Sequence, residues 1–188
     1  FPTDFSENSK HALAVAIVLA KDFGAKLHIL NSYKMPYSSS SPMTRTLLEA
    51  LEKSSQEELL GCVKEIKSNP ANKELEIKTK AMAGNVANSI DIYANKIGID
   101  LIVMGTKGAS GLKEVLIGSN TEEVVIHSDK SVLIIPENAK ISQIKKVAFA
   151  IDLQEIKDVS AFKVYLDFTK KYKTETLFVN VYKNEGDV

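Results

Sequence analysis

Cysteine is almost absent from this chain of 188 residues; Cys62 stands alone, so no internal disulfide can form. That usage suits a reducing compartment, and the sequence points to the cytoplasm. Cys62 lies beside Val63 on an amphipathic segment with no histidine near it in sequence. It reads as a small half-buried hydrophobe rather than an activated nucleophile. Arginine is equally scarce, with Arg45 alone among 24 basic residues. A protein that grips phosphates and guanines with guanidinium forks carries more. The basic residues are balanced by 24 acidic ones, so no broad positive field exists to draw in a polyanion, and nucleic acid is not a partner. No apolar run approaches the ~20 residues that span a bilayer, so no membrane partner is expected.

Several chemical signatures are missing too. There is no GxxxxGK[ST] sequence, which removes the phosphate-bridging lysine of the P-loop engines, and no GxGxxG, which weighs against a dinucleotide fold. His11, His28 and His127 are scattered without metal-ligand spacing and read as structural. No Ser/His/Asp constellation can be argued from the spacings.

What is present is an alternation of helix and strand signals. Ser6 reads as an N-cap, and Leu13, Ala16, Ile17, Ala20 and Phe23 recur at helical spacing before Gly24. Lys26 to Tyr33 reads as a strand, Met35 to Thr44 as a loop. A long helix follows from about Thr44 to Lys67, with Leu48, Leu51, Leu59, Val63 and Ile66 on one side, until Asn69 to Asn72 break it. Glu74 to Ala81 alternates as a strand through Leu75, Ile77, Thr79 and Ala81. Val86, Ile90, Tyr93 and Ile97 mark a helix closed by Gly98. Leu101 to Met104 reads as a buried strand, Ser119 to His127 as a helix, and Val132 to Ile135 as a last strand stopped by Pro136. Strands alternating with helices in this rhythm predict a parallel sheet covered on both faces.

Beyond the polar linker Glu137 to Gln143 the pattern restarts. Phe149-Ala150-Ile151-Asp152 parallels Phe1-Pro2-Thr3-Asp4 at an offset of 148, and Phe178 to Lys183 parallels Ile29 to Lys34 at 149. Val159 to Tyr172 repeats the first helix. Slippage of one residue argues a duplicated unit. In the second copy Ile144 to Ala148 lead into the Asp-bearing turn, so the first copy is expected to have more residues upstream of Phe1, forming its central strand. The second copy holds two strands and one helix, which alone would leave apolar surface uncovered, so it is expected to be truncated or packed on a neighbour.

The most informative stretch is Met104-Gly105-Thr106-Lys107-Gly108, continuing to Ile117-Gly118-Ser119-Asn120-Thr121. A glycine-bearing turn between a buried strand and a helix is where α/β proteins hold phosphates. Glycine lets the backbone approach an anion, and the first N–H groups of the helix point at it. Taken singly, Gly105 and Gly118 could be turn and cap residues, and Ser119 is a natural N-cap with or without a ligand. Asp4 could simply initiate the helix beside Ser6, and Met104 could be core. Lys107 and Lys113 read as solvated loop charges.

The spacing Gly105-x2-Gly108-x9-Gly118-Ser119 resembles that of the universal stress protein family in its nucleotide-binding branch. Pro2 to Ser9, Asp100 to Gly108, Leu116 to Val124 and Val132 to Pro136 carry the likeness. It covers residues 1 to 139 as one domain lacking most of its first strand. Residues 140 to 188 resemble the truncated start of a second, as in tandem members. Numbering strands from the one that ends at Asp4, the resemblance implies an open five-stranded parallel sheet in order 3-2-1-4-5, helices on both faces, with ligand at the carboxyl ends of the central strands. It implies ATP or another adenine nucleotide, alone or with magnesium or manganese. Asp4 would contact the nucleoside, Met104 would supply an apolar wall, and Gly105, Gly108, Gly118, Ser119 and Asn120 would form the phosphate loop. Ser32 matches a position often valine, beside the adenine.

The function so implied is a stress-response or signalling module that holds its nucleotide without rapid turnover, since no residue stands out to position a water or stabilise a transition state. Two other readings stay open. One is a slow ATP hydrolase or a phosphoryl or adenylyl transferase. The other is a dimeric interaction module with an empty site, paired through the Val132–Ile135 edge or with the second copy.

Overall fold

The structure, a computed structural model, describes residues 1–34, 42–106, 117–137, 139, 144–151 and 162–180. Two compact units divide the chain, Phe1–Ala139 and Lys140–Val188. In the first, α1 (Glu7–Asp22) leads to β1 (Leu27–Tyr33), α2 (Pro42–Ser68), a 3-10 turn (Pro70–Asn72), β2 (Ile77–Ala83), α3 (Val86–Ile97), β3 (Leu101–Gly105), α4 (Ser119–His127) and β4 (Ser131–Ile135). The second holds β5 (Lys146–Ala150), α5 (Lys163–Tyr172) and β6 (Glu175–Val179).

Local chemistry explains most of these boundaries. The Ser6 side chain accepts from Ser9 N and starts α1; Asn85 does the same for α3 through Asn88 N. Gly98, at φ +68°, ends α3 in the left-handed conformation, and its N–H donates to the Ala94 carbonyl. Helix α2 begins at Pro42, two residues before the expected start, because proline suits a first turn where its missing N–H is no loss. Its inner face carries Leu59 and Ile66, as the spacing predicts, but also the buried Ser55.

The strands form parallel pairs, β1 with β2, β3 with β4, and β5 with β6. Strand β2 starts at Ile77 rather than Glu74, and Lys78, Thr79 and Lys80 are all exposed. Among the described strands β2 pairs only with β1, so the alternation expected through Thr79 is blunted. The strand expected to end at Asp4 is reduced to one parallel bridge between Pro2 and Leu30. Leu30 N donates to Phe1 O at 2.9 Å and Thr3 N to Leu30 O at 2.8 Å. A continuous five-stranded ladder is therefore not what the described residues form.

Leu30, Ile90, Ala94, Ile102, Met104 and Val124 build a buried core between β1, α3, β3 and α4. The second unit is thinner. Phe149 packs its ring against Phe162, Tyr165 and Phe178 at centroid distances of 5.3, 4.8 and 5.6 Å, yet Phe178 stays 71% exposed and no residue of α5 is buried. Its bonds repeat those of the first. Ile151 N donates to Val179 O as Thr3 N does to Leu30 O, and Asn180 Nδ2 donates to Ile151 O at 2.7 Å as Asn31 Nδ2 does to Thr3 O at 2.8 Å. These are the sequence offsets of 148 and 149.

Candidate functional site

A parallel strand ends where its backbone turns outward, so the carboxyl ends of β1 and β3 and the turn after Thr3 meet at one rim. The turn is built by short polar side chains. Asp4 Oδ1 accepts from Ser6 N at 3.1 Å and from Ser6 Oγ at 2.6 Å, an arrangement that starts α1. Thr3 Oγ1 accepts from Phe5 N at 3.0 Å and from Ser9 Oγ at 2.8 Å. These bonds hold Phe5 at φ +61°, which costs a side-chain-bearing residue on the order of 1 kcal/mol.

Beneath the turn runs a buried polar relay. Ser55 Oγ on α2 donates to Asn31 Oδ1 at 2.7 Å, and Asn31 Nδ2 donates to the Thr3 carbonyl. Asn31 is 9% and Ser55 4% exposed, so both are shielded from water. The relay clamps the turn to β1 and α2.

On the other side, α4 begins after Gly118 with no side-chain cap, unlike α1, α3 and the 3-10 turn. Gly118 N donates to the Thr106 carbonyl at 2.6 Å. Thr121, 4% exposed, donates its hydroxyl to the Gly105 carbonyl at 3.0 Å, locking the helix to the end of β3. Among the described residues the backbone N–H groups of Ser119, Asn120 and Thr121 have no acceptor, as expected for a first helical turn. With the helix macrodipole behind them, they form a local site for negative charge.

Between these walls lies an open cleft of about 80 Å³, lined by Thr3, Asp4, Ser32, Met104, Gly105 and Asn120 among others. Five of the eight residues singled out from sequence therefore line one concavity: Asp4, Ser32, Met104, Gly105 and Asn120. Gly118 and Ser119 are not among its lining residues; they directly precede Asn120 at the start of α4. Gly108, with Lys107 and Lys113, lies outside the described residues. Ser119 is not the N-cap expected of it. Gly118 takes that position at φ −72°, ψ 154°, and Ser119 is the first helical residue. The Gly118 amide is already bonded to protein, so a contribution from Gly118 to anion binding would come from its small size rather than its N–H.

Pro2, Thr3, Ser9, Leu30, Val86, Ile90 and Thr121 also line the cleft but were not marked as site residues. Thr3 and Thr121 adjoin marked residues, so adjacency was an available signal. Val86 and Ile90 show only core periodicity. Remaining candidates lie elsewhere. Burial, followed by the Glu65 carboxylate, pushes the Cys62 thiol up, which disfavours the reactive thiolate. His28 Nδ1 lies 3.0 Å from the Tyr93 hydroxyl and His11 Nε2 lies 3.2 Å from the Ala139 carbonyl. Among the described residues no three His, Cys, Asp or Glu side chains cluster as a metal site, and no helix is long and apolar enough to cross a membrane.

Comparison with known proteins bears on the same region. The profile of the family described as "Universal stress protein family" matches residues 1–136. The universal stress protein MJ0531 of Methanocaldococcus jannaschii is 32% identical over 142 residues, covering 74% of this chain and 81% of its own length. Among solved structures, the universal stress protein UspA from Lactobacillus plantarum superposes with a TM-score of 0.61 at 26% identity, covering 71% of this chain and 93% of that one. A functionally unassigned protein from Pseudomonas aeruginosa shares the fold alone. Its TM-score is 0.62 at 13% identity, over 96% of this chain and 59% of its own. With the α/β architecture and the cleft at the ends of β1 and β3, these matches are decisive: the chain belongs to the universal stress protein family.

Proposed function

We propose that residues Phe1–Ala139 bind ATP or another adenine nucleotide and serve as a stress-response or signalling module that holds it without rapid turnover. The observation that carries this reading is the amino end of α4, which lacks a side-chain cap and opens on the same cleft as Asp4. Backbone donors with no acceptor among the described residues, backed by a helix dipole, suit phosphate oxygens. A carboxylate such as Asp4 suits the hydroxyls of a ribose, and the apolar floor of Leu30, Ile90 and Met104 suits a base. The cleft is open on one side, so part of the ligand would lie across its mouth. Magnesium or manganese, where bound, would be carried chiefly by the phosphate oxygens.

The sheet order 3-2-1-4-5 belongs to this reading. It is supported by the two parallel pairs, and by Leu30, whose N–H and C=O both turn to Phe1 and Thr3, away from β2. The residues after Ala139 are read as the start of a second such domain, supported by the repeated Thr3 and Ile151 bonds and by the Pseudomonas fold likeness. Strand β4 pairs on one side only among the described strands, and a second chain or copy is proposed to cover its free edge.

The test is release of small molecules from purified protein by denaturation, identified by mass spectrometry, with calorimetry using ATP and AMP in the presence and absence of magnesium. Co-purified or titratable adenine nucleotide supports the reading. No heat at millimolar ligand and no co-purified nucleotide overturns it. Phosphate release in a single-turnover assay on the scale of seconds would remove the holding role.

A further inference from the structure

On the β1 side of the cleft the protons of two hydroxyls are assigned by their neighbours. Ser32 Oγ lies 2.9 Å from the Gly84 carbonyl, which can only accept, so the Ser32 proton points there. Ser89 Oγ lies 3.3 Å from Ser32 Oγ. Ser89 is 2% exposed and its hydroxyl has no other partner among the described residues, so its proton points at Ser32. Having given one proton and received another, the Ser32 oxygen is left with a lone pair. It can accept from a ligand but not donate.

The surroundings hold that arrangement in place. Gly84 N donates to the Tyr33 carbonyl at 2.9 Å, anchoring the turn that presents the Gly84 carbonyl. Gly84 sits at φ +142°, a conformation closed to side-chain-bearing residues, and an added Cβ would meet Ser89 Oγ at 3.5 Å. Val86 and Ile90 line the same cleft as Ser32 and add apolar surface to it. On the β3 side the chemistry is reversed, because the backbone at the start of α4 offers N–H donors.

We propose that Ser32 is a specificity-determining residue: its hydroxyl accepts a hydrogen bond from an amino group of the bound base and disfavours a base that carries a carbonyl oxygen there. The proposal rests on the nucleotide reading above and deepens it. With phosphates at the α4 donors, the base faces the wall of Ser32, Val86 and Ile90. An acceptor set against a second acceptor leaves two lone pairs opposed with no proton between them, and specificity by such a mismatch is as effective as specificity by attraction.

The discriminating pair is ATP and ITP, whose purines differ at the 6-position, amino against oxo, and at N1, which carries a proton only in ITP; the Ser32 variants separate the part of the preference that belongs to this hydroxyl. Calorimetry on the full chain should give ATP binding about tenfold tighter than ITP. Ser32→Ala should bring the two within about twofold, mainly by weakening ATP. Ser32→Thr keeps the hydroxyl and should keep the preference. Thermal melts of each variant confirm folding, and should Ser32→Ala fail to fold, the wild-type comparison and Ser32→Thr still decide. Equal affinity of the wild type for ATP and ITP overturns the proposal, as does a preference that survives in folded Ser32→Ala. Failure of the wild type to bind either nucleotide instead overturns the reading on which it rests.

Discussion

Asn31→Ala is the perturbation that most directly probes how the cleft is held open. Asn31 is the middle of the Ser55–Asn31–Thr3 relay, with bonds of 2.7 and 2.8 Å. Its removal orphans the Ser55 hydroxyl, which is almost wholly buried, and the Thr3 carbonyl. A buried polar group left without a partner costs about 1–3 kcal/mol, and water entering the space left by the side chain recovers part of it. The expected loss is therefore about 2–4 kcal/mol, enough to lower the melting temperature by roughly 6–15 °C in a unit of this size. Urea unfolding of the full chain, with hydrogen exchange in β1 assigning the transition to Phe1–Ala139, reads the effect. Adding Ser55→Ala removes one orphan, so the double variant should be less destabilised than the sum of the singles by about 1 kcal/mol. Asn180→Ala is the internal control. Asn180 makes the equivalent bond to Ile151 but is only half-buried, and about 1 kcal/mol is expected. A cost below about 1 kcal/mol for Asn31→Ala, or strict additivity with Ser55→Ala, would refute the view that this relay clamps the turn.

The same substitution should act with opposite sign at two glycines. Gly98→Ala places a Cβ in open space but at φ +68°, and should cost about 1 kcal/mol from backbone strain alone, whereas Gly61→Ala, exposed within α2 with open space around it, should stabilise by about 0.5–1 kcal/mol. Chemical denaturation distinguishes them, and a shared sign would contradict the assigned conformations. His28 titrates below its ordinary value because burial disfavours the cation. The unfolded chain then binds the proton more readily, so stability is full above about pH 6.5 and falls as pH drops through that value toward the folded-state pKa. His28→Gln should flatten the denaturation midpoint between about pH 7 and 5, and an unchanged slope would assign the pH dependence to another group.

Much of the first unit was legible from residue order. Apolar positions at helical spacing marked α1, α2 and α3, and Ser6 and Gly98 marked their ends, because caps act within a few residues. The turn chemistry from Met104 to Thr121 and the acidic turn at Asp4 pointed to the rim where Asp4, Ser32, Met104, Gly105 and Asn120 line one cleft. Less legible were the details set by neighbours. Ser119 has the chemistry of a cap, yet Gly118 takes the position because its amide bonds Thr106. Thr79 fits an alternating strand, yet lies exposed on a strand that pairs on one side only among the described strands.

Periodicity, capping and spacing are short-range properties, and they determined the order of elements and the family. Hydrogen-bond partners are a different matter. Ser55 meets Asn31 across 24 residues, Thr121 meets Gly105 across 16, and Ser32 meets Gly84 across 52. Only the folded chain decides that Asn31 is a buried clamp, that the Gly118 amide is already used, and that Ser32 offers an acceptor. A side chain's donor or acceptor character in a site depends on which protons its spatial neighbours take, and sequence distance does not encode that.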